Sequence, residues 1–282
     1  MNDGEWRTAT AEDAALLAEL ASEVSGSDFT AEQASAFLKT WRVEIAPDSA
    51  VAVLPPASGH SRGHGAWWQR HGSAQFDDVV RRMVRLALTH GVETLQISLP
   101  AEESGPLGFD RAYPLWTMVH DGTTWPQQQS ELPPPLRISR WSEVQPSEFQ
   151  TAYEQAYQDQ RVVEPHTAAT WEQLASSNDF ATDLAALATT PDGRVAGFVL
   201  GFHQDGGGVE LGPIGTVPSW RGRGVSSALL ASVLMRCREL HSGPLTLTVD
   251  GESPTGAQHL YLRYGFLVDK QLVTYQCRVP AG

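Results

Sequence analysis

The sequence predicts an α/β fold, a mixed sheet flanked by helices and built twice in tandem. Three observations predict it. The same succession of a glycine-containing loop, an amphipathic helix, an alternating strand, a Gly-Phe pair and a final strand-like run occurs once in each half of the chain. Residues 121–137, with three consecutive prolines and a Gln run, form a stiff, extended connector between the two occurrences. Strand and helix patterns in the second half follow the order β, α, α, β, β, β, α, β, α, β. A boundary near Glu131 divides the 282 residues into 1–128 and 134–282, each the size of one domain. Hydrophobic content of 41% supports a sizeable core.

In the first half, the loop Trp68-Gln69-Arg70-His71-Gly72-Ser73-Ala74 precedes Phe76, Val79, Val80, Met83 and Leu86 at helical spacing. The helix ends near Gly91, and Leu95, Ile97 and Leu99 alternate as a strand before Gly108-Phe109. In the second half, Trp220-Arg221-Gly222-Arg223-Gly224-Val225-Ser226 precedes Leu229, Val233, Leu234, Cys237 and Leu240. That helix ends near Gly243, and Leu245, Leu247 and Val249 alternate before Gly265-Phe266. Duplication of one ancestral unit explains the shared order. The plainer explanation is that strand–turn–helix units share glycines by necessity, and the order of the pieces favours duplication. Nine positions separate Leu99 from Gly108, against sixteen from Val249 to Gly265, so the first half lacks room for the last helix. Residues 101–106 contain Gly and Pro and allow no more than a turn. The first half is therefore expected to be a degenerate copy with a structural or docking role.

Within the second half, a short strand begins at Leu136 and helices follow over 147–159 and 167–175. Strands cover 183–190 and 194–202 around the hairpin turn Pro191-Asp192-Gly193, and a third spans 209–217. After the loop, helix and strand, Ser253 is the expected N-cap of a last helix, with Pro254 at N1 and Gly265 at C′. Ala257, Leu260, Tyr261 and Tyr264 share one face of it, and a strand from 267 to 277 closes the chain. The order is β, α, α, β, β, β, α, β, α, β.

Composition narrows the function. A formal net charge of −13 argues against nucleic acid, whose phosphates an acidic field repels. No apolar run approaches the roughly 20 residues of a membrane span, and the first residues carry no signal-peptide pattern. The two cysteines, Cys237 and Cys277, offer neither a disulfide framework nor metal-type spacing, so a reducing cytoplasm and no metal are expected. His60, His64 and His71 sit in a Gly/Ser-rich stretch that reads as a polar loop. Arg81, Arg82 and Arg85 read as a solvated helix face.

The turn at Arg221, Gly222, Arg223 and Gly224 opens directly into the helix at Val225 and Ser226. Such a turn aims backbone N–H groups at one point, an anion cradle. Its spacing, Arg221-x-x-Gly224-x-Ser226, resembles the Q/R-x-x-G-x-G/A signature of the GNAT acyl-CoA N-acyltransferases. The segment from Val249 to Ala257, with Leu260-Tyr261 and Gly265-Phe266, resembles the same family's V-D-x-E-N-P-T-G-A-x-x-L-Y-x-x-x-G-F pattern. The resemblance is good over 137–278 and weak over 6–120. It implies two tandem GNAT-like domains, with catalysis in the second.

From the resemblance follow a donor, acetyl-CoA, and transfer of its acyl group to a primary amine by direct attack in a ternary complex. The loop would hold the CoA pyrophosphate. Backbone N–H groups near Thr216 and Val217 would polarise the carbonyl and align the pantetheine arm. Tyr261 stands where the family's acid stands, to protonate the departing thiolate. Glu210, eleven residues before Arg221, stands at the offset of the glutamate base in histone-type members. Two departures matter: Ser226 replaces Gly or Ala and either crowds the loop or bonds a phosphate oxygen, and Ser253 replaces Asn. Tyr153, Tyr157 and His166 lie where the family varies to suit its acceptor, which is expected to be a small molecule. A monomer or homodimer is expected. Two other readings stay open: a non-catalytic acyl-CoA-binding or sensory protein, and a protein lysine acetyltransferase.

Overall fold

A computed structural model describes residues 6–25, 29–56, 61–70, 76–128, 130–160, 168–240 and 243–280. Two compact units emerge. One comprises residues up to Ala112 together with those from Val273 onward, and the other spans Tyr113–Leu272.

In the first unit, β1 (Arg7–Thr8), α1 (Ala14–Ser25) and α2 (Ala31–Thr40) precede β2 (Arg42–Ala46), β3 (Ser49–Leu54) and β4 (Arg62–Gln69). Helix α3 (Phe76–Thr89) then crosses to β5 (Thr94–Pro100). Strands β1 to β4 are antiparallel neighbours in chain order. The α3 crossover makes the β4–β5 pair parallel, with Arg62 opposite Thr94. Val79, Val80, Met83 and Leu86 of α3 are buried, as their spacing predicts, and all but Val80 cluster with Val51, Val53, Leu95 and Ile97. His64 lies within β4, not in a loop, while His60 and His71 lie outside the described residues. Arg82 departs from the solvated-face expectation. It bonds Glu44 at 2.5 Å, 18% exposed, and lies over the Trp6 ring.

The second unit takes most of β6 (Asp110–His120), then β7 (Arg137–Ser139), α4 (Pro146–Tyr157) and α5 (Ala168–Ala175). Next come β8 (Ala186–Thr189), β9 (Val195–His203), β10 (Val209–Thr216), α6 (Val225–Leu240) and β11 (Leu245–Asp250). Helix α7 (Ala257–Arg263) and β12 (Phe266–Arg278) follow. Its strand order runs β12, β6, β11, β10, β9, β8, β7. Strand β9 is buried on both faces: Phe198 and Leu200 meet Phe149, Tyr153 and Trp171 of the α4–α5 layer, while Val199 meets Leu229, Leu230 and Val233 of α6. Each such fully buried aliphatic side chain contributes about 1.5–3 kcal/mol. Leu240, assigned to the buried stripe by spacing, is 58% exposed, because the last turn of α6 outruns the sheet.

Two expectations change. The units divide at 112/113 and 272/273, not at the connector near Glu131, because Leu115 to Val119 pair antiparallel with Asp250 to Thr246 of β11. Nor does Ser253 cap α7. Residues 251–256 form turns, closed by Ser253 N–H to the Asp250 carbonyl at 3.0 Å and Gly256 N–H to the Ser253 carbonyl at 2.9 Å. Gly256, at φ +70°, takes the N-cap, a left-handed conformation that a continuous helix from Pro254 cannot contain. At the other end, Gly265 holds the expected C′ position with φ +83°.

Candidate functional site

Strands β10 and β11 pair only at Val209–Leu245 and Glu210–Thr246. Beyond that point β10 runs on to Thr216, paired on its other side with β9 across a register shift between Leu211 and Ile214. A cavity of about 690 Å³ opens here, lined by residues of β10, β11, the turn before α6, the first turn of α6 and α7. The amide of Val217 is committed to the sheet, donating to the Ala196 carbonyl at 2.9 Å, and Val217 does not line the cavity. Strand alternation turns the neighbouring Thr216 amide to the opposite edge, toward β11. Of the two amides expected to face a thioester carbonyl, Thr216 alone retains that direction.

The turn forms because two glycines adopt conformations that other residues resist. Gly222 has φ +71° and Gly224 φ +81°, and a Cβ at either would meet open space, so the requirement is conformational, not steric. Helix α6 starts immediately after. Its first intrahelical bond is donated by Ala228 to the Gly224 carbonyl at 2.9 Å, which leaves the amides of Val225, Ser226 and Ser227 without helical acceptors. All three residues line the cavity. The Ser226 hydroxyl bonds the Thr216 hydroxyl at 2.6 Å, so it tightens the strand–helix junction instead of crowding the turn. Arg221 donates to Asp159 and to the Ala156 and Thr216 carbonyls, and Arg223 lies over the Trp220 ring, outside the cavity wall.

Tyr261 enters the opposite wall from α7, 5% exposed, its ring edge-on to Phe266. Burial raises its phenol well above the ordinary tyrosine value, and the neighbouring Tyr157 adds to the shift. Tyr157, from the last turn of α4, also lines the cavity and donates from its hydroxyl to the Ile214 carbonyl at 3.2 Å. Ser253 lines the cavity, its hydroxyl 3.0 Å from that of Thr255.

Other predicted residues fall elsewhere. Glu210 lies at the paired start of β10, where Gln204 donates to it at 3.4 Å. It is absent from the wall, because six residues of strand, roughly 20 Å, separate it from Thr216. Tyr153 is 5% exposed and packs against Tyr157, Trp171 and Phe198, so it builds the core behind the site. His166 lies outside the described residues. The wall also holds Asp250, Gln160 and Leu115, to which the sequence reading gave no role. Asp250, 4% exposed, is the one carboxylate among the described lining residues, and its Oδ1 accepts the Glu252 N–H at 2.9 Å. Its place in the V-D-x-E segment was the available signal. Leu115 had none, since its position depends on pairing across more than a hundred residues.

Both cysteines are free, and burial raises their thiols, Cys237 to about 12 and Cys277 to about 11, which suppresses thiolate nucleophilicity. Among the described residues, no group of three or more His, Cys, Asp or Glu could hold a metal ion. No helix among them is long and apolar enough to cross a membrane.

Residues 140–266, which carry every lining residue of this cavity but Leu115, match the family described as Acetyltransferase (GNAT) family. Over these residues the chain is similar to that family. The fold extends the likeness to both halves. A GCN5-related N-acetyltransferase from Sphaerobacter thermophilus aligns with TM-score 0.73 and 22% identity, over 98% of this chain and 96% of its own. A tandem GNAT protein from the clavulanic acid biosynthesis pathway aligns over 99% of both chains, with TM-score 0.69 and 12% identity. A protein described as a "Putative Acetyltransferase" from Pyrococcus horikoshii gives TM-score 0.64 and 12% identity, over 98% of this chain and 89% of its own. The chain thus has a tandem GNAT fold. No curated protein matches it in sequence.

Proposed function

We propose that the second GNAT half transfers an acetyl group from acetyl-CoA to a primary amine of a small molecule, by direct attack in a ternary complex. The observation that carries this reading is one cavity joining a free helix N-terminus to a buried phenol and a carboxylate. The residues fit the donor. Amides of Val225, Ser226 and Ser227 suit a pyrophosphate, the open flank of Gly222 and Gly224 admits it closely, and the α6 dipole favours its charge. Bound there, acetyl-CoA supplies an activated thioester.

The chain's residues do the rest. Thr216 offers its amide toward the acyl oxygen. Asp250 takes the place first assigned to Glu210: as the carboxylate of the wall, it attracts the acceptor's ammonium and accepts its proton, directly or through water. Tyr261 holds its proton at neutral pH, because its pKa is raised, and delivers it to the sulfur as the bond breaks. Tyr157 and Gln160 face the acceptor. Free thiol and acetylated amine leave in equal amounts. With high-pKa cysteines, no cysteinyl intermediate is called for.

The degenerate first half is a scaffold in this reading. Arg70, in its echo of the loop, bonds Glu19 at 2.6 Å, Glu23 at 2.7 Å and Asp48 at 3.3 Å, a carboxylate cluster that repels phosphate.

Calorimetric titration with acetyl-CoA, followed by thiol release against a panel of small amines, polyamines and lysine peptides, tests the proposal. Micromolar binding and release with a small amine are expected. Binding without release from any acceptor would make the protein an acyl-CoA sensor, and release with peptides alone would make it a lysine acetyltransferase.

A further inference from the structure

We infer that Arg221 is a positioning residue that couples the donor loop to the acceptor-facing end of α4. The inference rests on the donor reading above. Arg221 opens the glycine turn, yet its guanidinium does not point along it. It reaches back to α4, donating to Asp159 Oδ2 at 2.9 Å and to the Ala156 carbonyl at 2.9 Å, while Nε donates to the Thr216 carbonyl at 3.3 Å. One planar fork thus bridges the end of β10 and the C-terminus of α4. Ala156 lies in the last turn of that helix, where carbonyls lack helical donors and the dipole is negative, so a fixed cation is complementary there. A second bond joins the same turn to β10, from the Tyr157 hydroxyl to the Ile214 carbonyl. Ala156, Tyr157 and Gln160 all line the cavity.

The consequence is mechanical. A ligand held by amides of the turn fixes the backbone at Arg221. The guanidinium then holds Ala156 and Asp159 in one arrangement, which fixes Tyr157 and Gln160 where an acceptor meets the donor. Donor binding therefore orders the acceptor side, and an acceptor that engages Tyr157 favours donor binding by the same factor. The Asp159 pair is half exposed and screened, so it supplies geometry more than affinity.

Hydrogen exchange of the full-length chain, with and without saturating CoA, tests this. In the wild type, CoA should slow exchange at least fivefold both at 225–230 and at 153–160. Arg221→Met, measured at CoA concentrations that fill its site, should keep the protection at 225–230 and lose it at 153–160. Arg221→Lys, which keeps the charge without the fork, should behave like Arg221→Met and decides the matter if that variant does not fold. Asp159→Asn should lose about half of the gain while changing CoA affinity less than threefold. Full protection at 153–160 in Arg221→Lys overturns the coupling. So does a wild type that binds CoA and gains protection only at 225–230. A wild type that binds no CoA overturns the donor reading itself, and this inference with it.

Discussion

At the scale of single residues, Tyr261 and Gly224 make the sharpest demands. Tyr261→Phe removes one hydroxyl from a buried ring and leaves its packing on Phe266 intact. Turnover should fall about 10²- to 10³-fold while acetyl-CoA affinity stays within twofold, measured by thiol release and calorimetry. Burial raises the phenol's pKa, so the folded state retains this proton at pH values where the unfolded chain, near 10, loses it. Its stabilising effect is complete below pH 10 and declines above it. The urea midpoint of the wild type should therefore drop between pH 9.5 and 11 more than that of Tyr261→Phe. Asp250→Asn keeps the oxygen that accepts from Glu252 but removes the charge. It should lower kcat/KM for the amine at least tenfold without weakening acetyl-CoA. Gly224→Trp places a side chain at φ +81° in the cavity wall and should weaken acetyl-CoA at least tenfold, about 1.4 kcal/mol, by calorimetry. Tyr261, Gly222 and Gly224 were legible in the sequence because local spacing fixes their setting. Glu210 lies off the cavity wall and Tyr153 in the core because strand pairing and core packing decide their places.

At the scale of elements, short-range chemistry governs caps and turns, and long-range chemistry governs edges. Ahead of α1, Asp13 accepts both guanidinium nitrogens of Arg7, at 2.5 and 2.7 Å, and the Thr10 amide at 2.8 Å. The Arg7 bonds come first among the causes that lower its carboxyl to about 2. Their stabilisation is present above the unfolded value near 3.9 and is lost as pH falls through 2. Asp13→Ala should cost about 1–2 kcal/mol at pH 7 by urea unfolding, and the difference from wild type should shrink between pH 4 and 2. The helix patterns over 76–89 and 225–240 were visible because each stripe repeats at helical spacing. The start of α7 was not. Ser253-Pro254 is an ordinary opening signal, and only the Asp250 turn and the left-handed Gly256 delay the helix.

At the scale of the whole molecule, the chain has a tandem fold whose halves differ in sequence at the glycine loop. Titration should find one tight acetyl-CoA site per chain, since Arg70, which precedes the first half's counterpart of Gly224, is paired with three carboxylates. Cutting at the connector should not release a stable catalytic domain. A fragment of residues 134–282 lacks the stretch Leu115–Val119 and leaves β11 without that partner, so its circular dichroism melt should be broad and low compared with that of the intact chain. By itself the sequence determined the α/β class, the tandem layout, the order of elements in the second half and the glycine turn that opens α6. Each of these depends on hydrophobic period, turn residues and backbone freedom, which act over a few residues. Tertiary structure alone decided which strand neighbours β11, which amide faces the cavity, which carboxylate enters its wall and where the Arg221 guanidinium points. Those outcomes depend on hydrogen bonds and packing between segments far apart in the chain, which local spacing does not encode.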